Sequence, residues 1–247
     1  MLVNYRKNGR DFQCDLNRGI DLSSTLHSSE NYARAWAVPP VKITPVKRGN
    51  WIGAISEGAP VNFFDITFNP HGNGTHTECV GHITPEHHSL EGVLKKFHFM
   101  ARLIHVAPQQ EQNDQVVHWS DVAAQIENWD FEALIIAVPT PWPVNFTGTN
   151  PTYFEPEVLK QIRERGVQHF ITNLPSVDKE EDGGALLAHH AFWNYPEILD
   201  RERTITELAH LPPDLKPGYY MLNLQVAHFN NDASPSRPVI YPVRDRQ

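Results

Sequence analysis

The sequence predicts a mixed α/β fold, and three observations support this prediction. Short apolar strands alternate with helices between residues 97 and 174, the proline-rich front half is mainly β-like, and two strand-like segments close the chain. With 247 residues, 40% hydrophobic and 20% charged, the chain is long enough to bury an ordinary core. We therefore expect residues 1–247 to form a single mixed β/α domain.

The front half predicts β structure. Residues 1–25 predict two short extended segments separated by the turn-forming sequence RKNGRD. The stretch around 38–48 contains too much proline for a central strand and predicts a loop or an edge strand. Residues 50–56 and 61–68 predict strands, since VNFFDITF is β-branched and aromatic. A histidine-rich loop is expected to follow directly.

The second half predicts strands that alternate with helices. Ser120-Asp121 predicts the start of one helix, and a second helix carries a proline at its start and ends at Gly166. The predicted strands of this half are FHFMARLIHV (97–106), ALIIAV (133–138), HFITN (169–173), and the closing pair GYYMLNLQVAHF and RPVIYPV. The continuous apolar runs among them are typical of strands covered on both faces.

Composition and charge exclude several classes of function. The 21 basic and 29 acidic residues give a net charge of −8, so a nucleic-acid partner is not expected. No apolar run approaches the roughly 18 residues that span a membrane, or matches the secretory-signal pattern, so we expect no membrane partner and a cytoplasmic location, with a trimmed signal as the alternative. Cys14 and Cys79, the two cysteines, exclude a disulfide framework and a paired-cysteine zinc site. Any metal must therefore be held by histidines and carboxylates.

Histidines are concentrated in one part of the chain. Six of the 14 histidines lie between positions 71 and 98. The segment from Asn69 to His82 places three imidazoles and one carboxylate among three glycines. His76 and Glu78 share a face if this segment is extended, and His82 joins them if the alternation continues. A histidine and a carboxylate two residues apart can bind Zn²⁺ or another divalent first-row metal.

Other catalytic arrangements have weaker support. Cys79 lies between His76 and His82 and is an alternative nucleophile, but nothing in the sequence identifies an environment that lowers its pKa. Ser176 and Asp178 lack the glycine pattern of a serine hydrolase, and no glycine-rich nucleotide loop is present.

The segment Gly74-Thr75-His76-x-Glu78-x-x-x-His82 resembles the signature His-x-Gly-Thr-His-x-Asp-x-Pro-x-His of the cyclase family, which includes the bacterial-type kynurenine formamidases. Three further segments resemble motifs of this family: Asp21-Leu22-Ser23, Ser176-Val177-Asp178, and Asp232-Ala233-Ser234-Pro235-Ser236-Arg237. The resemblance covers most of the chain. It implies a swivelling β/β/α, cyclase-like domain.

The resemblance also implies roles for individual residues. His76, Glu78, His189 and Glu207 correspond to metal ligands, with His190 one residue away from the expected ligand position, and His82 corresponds to the acid/base. The first histidine of the signature is replaced by Gly72, and His71 can supply an imidazole there only if the backbone is shifted. The cofactor implied is one or two divalent metal ions, Zn²⁺ in the first place and Mn²⁺ as an alternative.

The function implied is metal-dependent hydrolysis of a small-molecule amide, with N-formylkynurenine giving kynurenine and formate. Two alternatives stay open: the same fold and metal acting on a lactone, cyclic amide or dehydration substrate, or a non-catalytic binding protein with a degenerate site. Family members are commonly dimers or tetramers, so a homodimer or homotetramer is expected. Aromatic residues that either wall the substrate pocket or belong to the core are Phe63, Phe64, Trp142, Phe192 and Trp193.

Overall fold

The computed structural model describes residues 1–29, 32–141 and 145–245, and it confirms the mixed α/β class. Its strands are β1 (Leu2–Lys7), β2 (Arg10–Asp15), β3 (Ile20–Asp21), β4 (Lys42–Pro45), β5 (Lys47–Arg48), β6 (Trp51–Ile52), β7 (Phe64–Thr67), β8 (His76–Cys79), β9 (His98–His105), β10 (Gln109–Glu111), β11 (Asp114–Val117), β12 (Ala133–Ala137), β13 (Tyr153–Phe154), β14 (His169–Thr172), β15 (Thr204–Glu207), β16 (Gly218–Asn223), β17 (Ala233–Pro235) and β18 (Val239–Asp245). Its α-helices are α1 (Leu90–Val93), α2 (Trp119–Ala123), α3 (Pro156–Glu164) and α4 (Leu187–Trp193).

A mixed sheet forms the centre of the fold. Within the described residues it has eleven strands in the order β1-β2-β18-β16-β9-β12-β14-β15-β8-β17, and β3 pairs with β18. Neighbours among β9, β12, β14 and β15 are parallel, and α2, α3 and α4 lie in the connections between them. β12 and β14 are buried along their whole length, as their apolar sequences predict.

Helices α3 and α4 cover one face of this sheet. Val158, Leu159 and Ile162 are the buried side of α3, and they join the core cluster that contains Phe192 and Trp193 of α4. Pro156 begins α3, and Gly166 beyond its end has a φ of +84°, a left-handed conformation that glycine adopts without strain. The predicted start of this helix is therefore confirmed, whereas its last residue is Glu164, two residues before the predicted Gly166.

Some predicted elements differ from the structure. α2 begins at Trp119 rather than at the Ser120-Asp121 pair, and it ends at Ala123, earlier than predicted. The proline-rich stretch contributes β4 and β5, which pair with β7 and β6 in two separate two-stranded sheets. No helix in the described ranges is long and apolar enough to cross a membrane.

The histidine-rich segment contains a buried strand, so its prediction as a loop is wrong in part. β8 lies between β15 and β17, antiparallel to both. All four residues of β8 and all four of β15 are buried, although both strands carry polar side chains. Because polar residues replace the apolar positions of an ordinary buried strand, neither strand has the sequence pattern by which the others are predicted.

Candidate metal centre

The pairing of β8 with β15 places His76 and Glu78, the predicted ligands of β8, on one face of the sheet. His76 lies directly opposite Glu207, and Thr77, pointing to the other face, shares a hydrogen bond of 2.7 Å with Thr206. His76 and Glu78 alternate with Thr77 and therefore share a face, as predicted.

The predicted continuation of this alternation to His82 is wrong. β8 ends at Cys79 and is followed by a 3₁₀ turn over Val80–His82. The turn nevertheless returns His82 to the same cluster, with its Nε2 3.9 Å from Glu78 Oε2. His82 therefore joins the cluster through the 3₁₀ turn and not through the extended backbone that the sequence predicted.

Glu78 is the centre of the cluster. Its buried carboxylate accepts a hydrogen bond of 3.0 Å from His71 Nδ1 at Oε2 and another of 3.0 Å from His189 Nε2 at Oε1. The two oxygens therefore face two different imidazoles. A carboxylate in this position can link two neighbouring ion sites, or it can bind one ion and accept a hydrogen bond with its other oxygen.

His71 lies in the cluster although it precedes the position of the family's first histidine. The Asn69 carboxamide accepts hydrogen bonds from the backbone N–H groups of His71 and Gly72, both at 2.9 Å, and so fixes the turn. The ring of His71 lies 4.3 Å from that of His82 and 5.6 Å from that of His76, measured between centroids. The backbone at this turn therefore lets His71 supply an imidazole to the cluster.

Gly72 has no room for a side chain. A Cβ at this position would lie 2.6 Å from Cγ2 of Val38 and 3.0 Å from the carbonyl oxygen of Ala35. The imidazole of the family signature is therefore excluded from position 72 by packing, and His71 takes its place in the cluster.

His189 reaches the cluster from the first turn of α4. Its Nδ1 donates a hydrogen bond of 2.5 Å to Asp178 Oδ2, and the Asp178 carboxylate also accepts the backbone N–H groups of Ala188 and His189. His190 points elsewhere: its ring contacts Tyr195 at 5.0 Å, and it is not among the cavity-lining residues. The structure thus brings His189, and not His190, to the other predicted ligands.

His76 and Glu207 complete the cluster. Glu207 accepts the backbone N–H of Val177 at 3.0 Å and lies 3.5 Å from His76 Nε2. His76 Nδ1 donates to the carbonyl oxygen of Gly74 at 3.1 Å, whereas its buried Nε2 makes no hydrogen bond. A buried ring nitrogen without a hydrogen-bond partner, beside carboxylates, is the donor atom that a divalent metal requires. The residues present therefore fit a metal.

Electrostatic coupling in the cluster is strong. Burial lowers the pKa of His71, but hydrogen bonds to Asp232 and Glu78 outweigh it and raise the pKa to about 10. His189 behaves in the same way, because its bonds to Asp178 and Glu78 raise its pKa well above the usual value despite burial. Burial raises the pKa of Glu78, yet the surrounding imidazoles lower it well below its usual value. Protons at the imidazoles balance the carboxylates, and a metal binding here displaces protons.

A cavity of about 380 Å³ opens onto the cluster. Its lining residues are Trp36, Val38, Asn69, His71, Glu78, His82, Ser176, Asp178, Lys179, Glu180, Asp182, Leu186, His189 and Glu207. Among the aromatic residues proposed from sequence, Phe63 and Phe64 are 49% and 43% exposed outside this lining, and Phe192 and Trp193 are buried in the core. Trp142 lies outside the described residues. Among the described Phe, Tyr and Trp residues, Trp36 is the one that lines the cavity.

Two acidic residues of the cluster were missed as site residues. Asp178 bonds to His189, and Asp232 accepts a hydrogen bond of 2.8 Å from His71 Nε2. Both belong to segments that carry the family resemblance, which was the available signal, but their imidazole partners depend on the fold.

The alternative nucleophile Cys79 is fully buried, and burial raises the pKa of its thiol to about 11. This environment disfavours a thiolate.

Moving the imidazole from position 71 to position 72, where the family signature has its first histidine, should abolish its contribution to metal binding. We expect the double variant His71→Gly/Gly72→His to bind as little metal as His71→Ala, because no side chain fits at position 72. Metal content per chain and the melting temperature are the measurements. Restored metal binding in the double variant would contradict the packing argument.

Comparisons of sequence and of structure both find known proteins that are similar to this chain. Residues 20–179 match the family model described as Cyclase. The kynurenine formamidase of Delftia acidovorans is 24% identical over 221 residues, covering 84% of this chain and 97% of the relative. A solved structure of a potential metal-dependent hydrolase with cyclase activity superposes with a TM-score of 0.66 and 14% identity, covering 93% of this chain and 98% of the other. Isatin hydrolase A of Labrenzia aggregata gives 0.63 and 15%, covering 91% and 93%.

Proposed function

The chain belongs to the cyclase family, and from this premise we propose that it is a metal-dependent hydrolase that cleaves the C–N bond of an aryl amide. N-formylkynurenine, giving kynurenine and formate, is the leading substrate. The relation to a kynurenine formamidase along almost its whole length supports this choice. The observation that carries the proposal is the set of imidazoles around buried Glu78 at the base of the cavity.

Within the described residues, the possible donor atoms form three overlapping groups: His71, His76 and Glu78; His71, His82 and Asp232; and Glu78, His82 and His189. Ligand atoms of His71, His76 and Glu78 lie within 4.8 Å of one another, and His189 Nε2 lies 3.0 Å from Glu78 and 3.7 Å from Glu207. We propose that these residues hold one or two Zn²⁺ ions, with Mn²⁺ as the alternative. When bound, such an ion supplies an acidified water and an electrophile for the amide carbonyl.

His82 is the proposed acid/base. Its side chain is 29% exposed, so it is accessible from the cavity, and it lies beside Glu78 and Asp232 at 3.9 and 3.7 Å. Hydrolysis adds a water to the formyl carbon and breaks the C–N bond, and the departing aryl amine requires a proton. An imidazole at this position can carry that proton from the attacking water to the amine nitrogen.

The rest of the cavity suits an aryl amide that carries an amino-acid side chain. Trp36, Val38 and Leu186 offer apolar surface to a ring. Lys179 and Glu180 also line the cavity and carry opposite charges, although Lys179 already pairs with Asp114 at 2.7 Å and Glu180 already accepts the backbone N–H groups of Gly148 and Asn150. A neutral cyclic amide such as isatin needs only the apolar part. Isatin is the second candidate because isatin hydrolases share the fold.

Metal analysis followed by two activity assays tests the proposal. We expect the purified protein to contain a divalent metal and to hydrolyse N-formylkynurenine, and we expect a chelator to abolish turnover until metal is added back. Chelator-sensitive turnover of isatin alone would favour the second candidate. Bound metal without turnover of either compound would indicate another substrate, and absence of metal binding would indicate a non-catalytic binding protein.

A further inference from the structure

Each imidazole that bonds to Glu78 is held from behind by a second carboxylate. Asp178 accepts the Nδ1–H of His189, whose Nε2 faces Glu78. Asp232 accepts the Nε2–H of His71, whose Nδ1 faces Glu78. The two rings therefore present opposite nitrogens to the centre. In metal sites, an outer carboxylate of this kind fixes which nitrogen of a histidine remains free to bind the ion.

Asp232 is held in place independently of His71. Its carbonyl oxygen accepts the backbone N–H of Cys79 at 2.9 Å, and the next residue, Ala233, pairs with Glu78 in the register of β17 and β8. Gly81 allows this close approach, because a Cβ there would lie 2.9 Å from Cβ of Asp232 and 2.2 Å from the carbonyl oxygen of His88. The backbone of Asp232, directly before β17, is therefore fixed beside the strand that carries Glu78.

We propose that Asp232 is a positioning residue that allows His71, one residue away from the family's ligand position, to bind the metal through Nδ1. Holding Nε2–H at 2.8 Å, Asp232 directs Nδ1 towards Glu78, whose Oε2 lies 3.0 Å away. The orientation of the ring, rather than an imidazole at position 72, supplies the donor atom. This inference rests on the proposed metal site and goes beyond it, because it assigns the ligand atom of His71 and the residue that selects it.

Metal affinity measured by competition with a chelator tests the role of Asp232. We expect Asp232→Ala to bind Zn²⁺ about 10- to 100-fold more weakly than the parent protein, as is usual when an outer-ligand partner is lost. Asp232→Asn should lose less, since its carboxamide oxygen can still accept from Nε2–H. The matched control is Glu155→Ala, which removes another carboxylate bonded to a histidine, His118 at 3.2 Å, and should leave the affinity unchanged.

A second measurement identifies the ligand atom directly. In protein labelled with ¹⁵N and loaded with ¹¹³Cd²⁺, we expect the metal to couple to Nδ1 of His71 and to Nε2 of His76 and His189. Coupling to Nε2 of His71 would overturn the inference, because Asp232 could not then accept a proton from that atom.

The outcomes separate failure of this inference from failure of the proposed function. If the parent protein binds no metal, the proposed metal site is wrong and the inference falls with it. If the parent binds metal and Asp232→Ala binds it equally well, only the inference is wrong. Unchanged affinity with lowered turnover would mean that Asp232 acts through His82, whose Nδ1 lies 3.7 Å away, and would also overturn the proposal.

Discussion

Replacement of Glu78 by glutamine is expected to remove the metal and to lower turnover by at least about 100-fold, since loss of an outer partner of a ligand already costs about 10–100-fold in affinity. The change keeps the shape of the side chain but removes its negative charge. Glu78 is fully buried and bonds to His71 and His189 at 3.0 Å each. The amide nitrogen of glutamine cannot accept a hydrogen bond from an imidazole N–H. The variant therefore loses a charged metal ligand and the hydrogen-bond acceptor of one of the two imidazole rings.

The measurements are metal content per chain, the Kd for Zn²⁺, and kcat with N-formylkynurenine. A matched control is Glu157→Gln, which removes the charge of a half-buried carboxylate on α3 and should change none of these values. The melting temperature of Glu78→Gln shows whether the fold is kept. A folded Glu78→Gln protein with the parent's metal content would exclude Glu78 as a ligand.

Replacement of His82 by alanine is expected to have a different effect from replacement of His76. His82→Ala should keep the metal and lower kcat by about 10²–10⁴-fold, the usual contribution of a general acid or base. His76→Ala should lose metal, because the buried Nε2 of His76 is without a hydrogen bond and is the proposed donor atom. The contrast distinguishes a residue that moves protons from one that binds the ion.

Both variants are compared by metal content and by kcat after reconstitution with excess Zn²⁺. His76→Gln serves beside His76→Ala, because it fills more of the fully buried space and guards against a loss of folding. Equal metal retention in the His76 and His82 variants would refute the assignment of roles. Loss of metal from His82→Ala would show that His82 binds the ion. The structure permits this, because ligand atoms of His82, Glu78 and His189 lie within 4.8 Å of one another.

Elements with local signals were predictable from the sequence. The apolar strands β9, β12 and β14 and helix α3, with Pro156 at its start and Gly166 beyond its end, were predictable because burial and backbone preference act on neighbouring residues. The sequence also identified His76, Glu78 and His82 as a group. Their spacing within one short segment is a local property.

Contacts between segments distant in sequence complete this group, and the sequence alone could not predict them. β8 and β15 have polar sequences and become strands because their side chains satisfy one another across the ladder, as Thr77 and Thr206 do. Asp232 lies 161 positions from His71, yet it bonds to that ring, and Trp36 reaches the cavity while the aromatics of α4 remain in the core.

The position of the displaced imidazole was decided in the same way. The sequence showed a glycine where the family carries a histidine, but it could not show that Val38 and Ala35 fill the space at that position. Packing between segments distant in sequence excludes a side chain at Gly72, and the turn fixed by Asn69 directs His71 to Glu78 instead. Such contacts have no sequence pattern, because they depend on which surfaces the folded chain brings together.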